Sequence, residues 1–164
     1  MGSKSSQCQS VSMDFFSSSR HCFVNELELE VSAARLFSSL KRAEDWPLWV
    51  DAIAAVEWTT PPPFAVGTTR TVTFTNGKFA DELFIAWEEN RRMAFCFTGT
   101  DMPGTGAFAE DYLIEPLGEE CCRLVWRVAF SPLGIHRWVF RLFGFAINKI
   151  FIKALADLKR FIEA

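Results

Sequence analysis

Side chains equipped for chemistry are sparse in this chain, and their spacing narrows what each could do. Glu110 and Tyr112 stand two residues apart in FAEDYLI (108–114), where alternation sets Phe108, Glu110, Tyr112 and Ile114 on one face of a strand. A carboxyl held on such an apolar face has its charged form disfavoured and its pKa raised, as an acid/base group working near neutral pH requires. At a solvated strand end it is an ordinary carboxylate. Asp81 and Glu82 lie in FADELFIAW (79–87), a run apolar on both faces, so alternation does not say which of the two points inward. His136 falls in a turn or first helical turn beside Arg137 and Trp138, either as a base at a cavity mouth or as a solvated surface residue. Glu110, Tyr112 and His136 are the catalytic candidates, and none of them sits in a recognised catalytic motif.

Composition removes several other chemistries. Cys8, Cys22, Cys96, Cys121 and Cys122 make an odd count without CxxC spacing, and only His21 and His136 could add imidazole, so no metal site is expected. The same cysteine usage fits a reducing, cytoplasmic setting. No nucleophile elbow, histidine pair or phosphate loop is present, and no cofactor is implied. The net charge of −3, without a basic stripe, argues against nucleic acid as a partner. Against one Tyr the chain carries 17 Phe and 6 Trp, which suit an apolar interior or an apolar ligand.

The elements that must position these residues follow from periodicity. Residues 1–20 are serine-rich and aperiodic and read as a disordered leader; its MGSKSS start fits the N-myristoylation pattern, with Cys8 as a second lipid site. FVNELELEV (23–31) alternates as a strand, Ser32 N-caps the amphipathic helix SAARLFSSLKR, and AEDWPLWVDAI forms a second short helix with Pro47 near its start. Six strands follow at roughly 53–60, 68–75, 78–88, 93–99, 106–116 and 121–130. TNGK (75–78) is a hairpin turn, since Asn-Gly accepts positive φ at both central positions. From about Ile135 the chain is helical to its end, too short and too interrupted by Arg141 and Lys149 to span a bilayer. At about 100° per residue, Phe140, Phe143, Ile147, Ile150, Phe151, Ala154, Leu158 and Phe161 share one arc of this helix. Trp138, Leu142, Phe145 and Ile152 lie on the outer arc, where they would meet a membrane surface or a second copy of the chain.

A strand, two short helices, six strands and a long final helix resemble the helix-grip layout of the START-like superfamily, closest to its bacterial polyketide cyclase/dehydrase-like branch. SAARLFSSLKRAEDWPLWVDAI, VGTTRTVTF, WEENRRMAF, CCRLVWRVAF and ALADLKRFIEA carry the resemblance, which covers residues 23–164. The glycine-rich loop of the plant allergen branch is missing, and so are the iron ligands of ring-hydroxylating dioxygenases. The resemblance implies an α+β helix-grip domain over 21–164, a curved seven-stranded antiparallel sheet wrapped around the C-terminal helix. It also implies a cavity lined by Trp49, Val72, Phe74, Phe95, Phe97, Phe108, Glu110, Tyr112, Leu124, Trp126, Val128, Phe140, Phe143, Ile147 and Phe151. Three functions are compatible with it. The cavity could bind an apolar small molecule such as a lipid, isoprenoid quinone or polyketide. It could house a cyclase or dehydratase. Or the domain could serve as a chaperone- or ribosome-associated interaction module.

Overall fold

The computed structural model describes residues 6–164. After a two-residue strand β1 (Ser6–Gln7) and a single helical turn α1 (Phe15–Ser18), the chain runs through β2 (His21–Leu29) and α2 (Ala33–Lys41). A 3-10 turn (Ala43–Asp45) leads into α3 (Trp46–Trp49). Strands β3 (Ile53–Trp58), β4 (Thr69–Phe74), β5 (Phe79–Glu88), β6 (Arg92–Thr100), β7 (Thr105–Gly118) and β8 (Cys121–Pro132) lead to the final helix α4 (His136–Ile162). Seven strands form one antiparallel sheet in the order β2-β8-β7-β6-β5-β4-β3. The expected α+β architecture is what the chain adopts, with short helices after the first long strand and one long helix at the end.

Local signals explain most boundaries. Ser32 Oγ accepts from Arg35 N (3.2 Å), capping α2, and Pro47 sits in the first turn of α3, where its missing N–H is not needed. At the 75–77 turn only Gly77 takes positive φ (81°), so the connection is a three-residue loop with glycine in the left-handed region rather than a two-residue Asn-Gly turn. The concave side of the sheet carries the main core, from Leu29, Leu36 and Phe37 through Phe84, Phe95 and Tyr112 to Leu155, Leu158 and Ile162.

Residues 6–20 of the leader depart from the expectation of disorder. β6 and β7 pair only as far as Cys96 opposite Ala109. In the gap beyond, β1 pairs with Gly99 and Thr100, Cys8 N donates to Thr98 O (3.1 Å), and Gln9 N donates to Gly106 O (2.8 Å). Phe16 then buries itself on the convex face in a depression left by Ala94, Cys96, Ala109 and Ala129, with the Arg127 guanidinium 4.9 Å over its ring. Composition could not register this, because the segment is held by unpaired sheet backbone rather than by a periodic apolar face of its own. Cys8 is buried, which removes it as an exposed lipid site, and Gly2 lies outside the described residues.

Candidate functional site

Strand alternation builds the site's floor. On β4 the threonines turn outward, Thr71 Oγ1 donating to Asp81 Oδ1 at 2.7 Å, while Arg70, Val72 and Phe74 turn in. Asp81 pairs with Gly99 but Glu82 pairs with Phe97, so β6 has one extra residue, Thr98, at a bulge. Glu82, opposite the inward Arg70 and in step with the buried Ala80 and Phe84, is the inward carboxylate of the pair that the sequence left undecided, and Asp81, opposite Thr71, is the outward one.

Between this floor and α4 lies a cavity of about 200 Å³. Val72, Phe74, Phe95, Phe97, Phe108 and Trp126 form much of its apolar wall, and Arg70, Glu82, Glu110 and Tyr112 are its polar groups. A second chamber of about 500 Å³ shares Met102, Phe108 and Phe151 as walls and is completed by residues that include His136, Phe140 and Ile147. Larger depressions, of about 800 and 860 Å³, run past Lys159, Arg160 and Glu163 and past Arg20, Arg137 and Arg141. Those are grooves with charged walls, whereas the paired chambers have the mostly apolar lining and few convergent polar groups of a small-molecule site.

Two polar constellations stand inside. Arg70 and Glu82 are directly opposed across β4 and β5, Nε donating to Oε2 at 2.5 Å, with only 1% and 4% of their surfaces exposed. Four rings surround the guanidinium, with centroids at 4.3 Å (Trp46), 4.8 Å (Phe95), 5.1 Å (Phe84) and 5.4 Å (Trp58). Its Nη1 is buried and has no hydrogen-bond partner among the described residues. Burial pushes the Glu82 carboxyl upward and Arg70 opposes it. Because arginine keeps its proton, a neutral Glu82 would leave a lone buried cation, so the pair stands ionised.

The second constellation centres on Glu110, whose Oε2 accepts from both Tyr112 Oη (2.5 Å) and Trp126 Nε1 (3.0 Å). Tyr112 and Trp126 are cross-strand partners on β7 and β8, with rings stacked at 5.3 Å. Burial raises the Glu110 carboxyl to about 7; the hydrogen bond from Tyr112 pulls the other way, and the Glu82 charge adds to the rise. The Tyr112 hydroxyl is itself pushed well up by burial and by the neighbouring carboxylate. Glu110 Oε1 is the oxygen that neither Tyr112 nor Trp126 occupies.

Some expected wall residues lie elsewhere. Trp49 is buried behind Trp46 (centroids 5.0 Å apart), and Leu124 and Val128 are covered by the core; alternation assigned their face but not their depth. Phe143 is half exposed, because its own backbone (φ −120°, ψ 15°) interrupts α4 and breaks the angular count there. His136 lines the outer chamber, with its ring against Gly104, and is not a wall of the chamber holding Glu110. Trp46, Arg70, Glu82 and Met102 were missed as wall residues. For Arg70 the signal was present, since it shares strand parity with Val72 and Phe74.

An apolar chamber with buried polar groups, set between a curved antiparallel sheet and a long terminal helix, defines a helix-grip protein. The family described as polyketide cyclase / dehydrase and lipid transport matches residues 20–163, and the chain belongs to it. An uncharacterised protein of Mycobacterium tuberculosis (strain ATCC 25618 / H37Rv) is 36% identical over 157 residues, covering 96% of this chain and 93% of that one. Among solved structures, the Zhui aromatase/cyclase from Streptomyces sp. R1128 superposes with a TM-score of 0.70 at 11% identity, over 87% of this chain and 93% of that one. A START superfamily protein from Mycobacterium smegmatis gives 0.66 at 17% identity, over 85% and 97%. At such identities these two establish the fold alone.

Proposed function

We propose that the protein binds a mostly apolar small molecule bearing a neutral oxygen acceptor, of the ketone, quinone or polyketide kind, with its oxygen in the inner chamber and its body extending into the outer one. The observation that carries this reading is the buried Arg70 Nη1, a charged donor with no partner among the described residues, on a mostly apolar wall. Leaving such a donor unpaired costs about 1–3 kcal/mol, and a ligand oxygen that accepts from it recovers that loss. The charge is already balanced by Glu82, so a neutral carbonyl suits the site better than a further carboxylate would. Below its pKa of about 7, Glu110 offers a second donor to the same ligand. The five cysteines are all free, which supports a reducing, cytoplasmic setting.

One observation favours a second, enzymatic reading. A carboxylic acid with a pKa of about 7 beside a bound carbonyl is a general acid, the chemistry that a cyclase or dehydratase requires.

The test is calorimetric titration with 2-acetylnaphthalene and with 2-ethylnaphthalene, which share a ring system and differ in the carbonyl. The ketone should bind roughly fivefold to tenfold more tightly, as one added hydrogen bond implies. At pH 8, where Glu110 is ionised and donates nothing, that advantage should vanish in the double variant Arg70→Met/Glu82→Gln. Equal affinities, or no saturable binding of either compound, would sink the reading.

A further inference from the structure

The first two-thirds of α4 is an unusual helix for its position. None of its residues before Leu155 is fully buried, and Ile135, Trp138, Leu142 and Phe145 are exposed, Trp138 at 62% and Phe145 at 68%. A helix laid on a sheet should present a polar face to solvent there. The charged residues accompanying this patch all have one sign. From Cys121 to Ala156 the sequence contains no Asp or Glu, although the whole chain carries a net charge of −3. Arg137 and Arg141 join Arg20 along one groove of about 860 Å³ that also includes Phe15 and Trp138, and Arg141 lies 5.7 Å over the Trp138 ring. Lys149 is exposed further along the helix, whereas Lys153 is neutralised by Asp51 and Asp157.

We propose that this face docks onto an anionic lipid bilayer, with Trp138, Leu142 and Phe145 entering the headgroup–acyl boundary and Arg20, Arg137 and Arg141 holding acidic headgroups in their groove. Aromatic and aliphatic side chains on one helix face, flanked only by cations, match the chemistry of an interfacial helix. A second copy of the chain fits poorly, because a two-fold contact would bring the same arginines together across the interface. The helix that docks also walls the outer chamber on its other side, where Phe140 and Ile147 line it. Docking would therefore set the chamber beside the bilayer from which an apolar molecule leaves water. The docking stands on the surface alone, and its test contains no cavity ligand, so it can fail without touching the proposed function.

Cosedimentation of the full chain with vesicles of phosphatidylcholine alone, or of equal parts phosphatidylcholine and phosphatidylglycerol, reads the proposal directly. Binding to the anionic vesicles should be at least tenfold tighter and should weaken as salt is added. Arg137→Gln/Arg141→Gln should lose about fivefold per arginine on the anionic vesicles. Trp138→Glu/Phe145→Glu should abolish binding while keeping the wild-type circular dichroism spectrum and melting temperature. Equal binding to both vesicle types, or none, overturns the proposal. So does unfolding of the glutamate variant, which would place those rings in the core. A vesicle-free dimer that the glutamate variant converts to monomer would assign the face to a second copy instead.

Discussion

Replacing Glu110 with glutamine tests the inner chamber through the pH dependence of stability. The amide keeps an oxygen that can accept from Tyr112 and Trp126 but cannot ionise. The wild-type carboxyl moves from an ordinary value of 4.5 to about 7 on folding. Between those two values the native state holds a proton that the unfolded chain has released, so this group makes stability fall as pH rises from about 4.5 towards 7 and adds no slope above. At 1.36 kcal/mol per pKa unit, the loss amounts to about 3 kcal/mol. Urea titrations of both proteins at several pH values isolate the group, because all other titrations cancel in the difference. The variant and the wild type should be close in stability near pH 4, and by pH 8 the variant should be more stable by roughly 3 kcal/mol. A gap that is flat with pH, or one that opens in favour of the wild type, would mean that Arg70 holds Glu110 ionised, and the neutral-donor role would fall.

Arg70→Met alone should cost about 3–5 kcal/mol by stranding the Glu82 carboxylate, while Arg70→Met/Glu82→Gln should recover most of that loss in thermal melts. Removing residues 1–18 should cost at least 2–3 kcal/mol, because the Phe16 side chain leaves a buried site and β6 and β7 lose the strand between them; an unchanged melting temperature would contradict the wedge. Phe143→Ala should change stability by less than about 0.5 kcal/mol, whereas Phe151→Ala, which removes the ring against Trp126, should cost roughly 2 kcal/mol. Equal effects for the two would show that the helix packs as one continuous stripe after all.

Where a segment's structure depends on its own neighbours in sequence, residue types alone were enough. Ser32 as a cap, Pro47 in a first turn and the alternation of β4 and β7 are all local, and each appears where its pattern put it. The misses share a different character. β1 has no apolar period and owes its order to backbone groups vacated where β6 and β7 part, a relation between positions some ninety residues apart. The choice between Asp81 and Glu82 depended on the register with β4, which sets Glu82 opposite the inward Arg70 and Asp81 opposite the outward Thr71, again invisible from the run FADELFIAW alone. Arg70 shares the parity of Val72 and Phe74, but a buried arginine makes sense only once Glu82 is known to stand opposite it.

The error at Phe143 bears most directly on function. Counting 100° per residue assumes an unbroken helix, and a single residue outside helical geometry rotates everything on one side relative to the other. Residues after the break keep their expected places: Phe151 lines the chamber, and Leu158 is buried in the core. Before it, Phe140 still reaches the outer chamber, but Phe143 turns outward and enlarges the exposed apolar face already formed by Trp138, Leu142 and Phe145. The kink thus widens the outer face without setting its limit: Phe145 and Ile147, beyond it, still belong to the exposed face and the outer chamber, and only from Leu155 onward does the helix close the core.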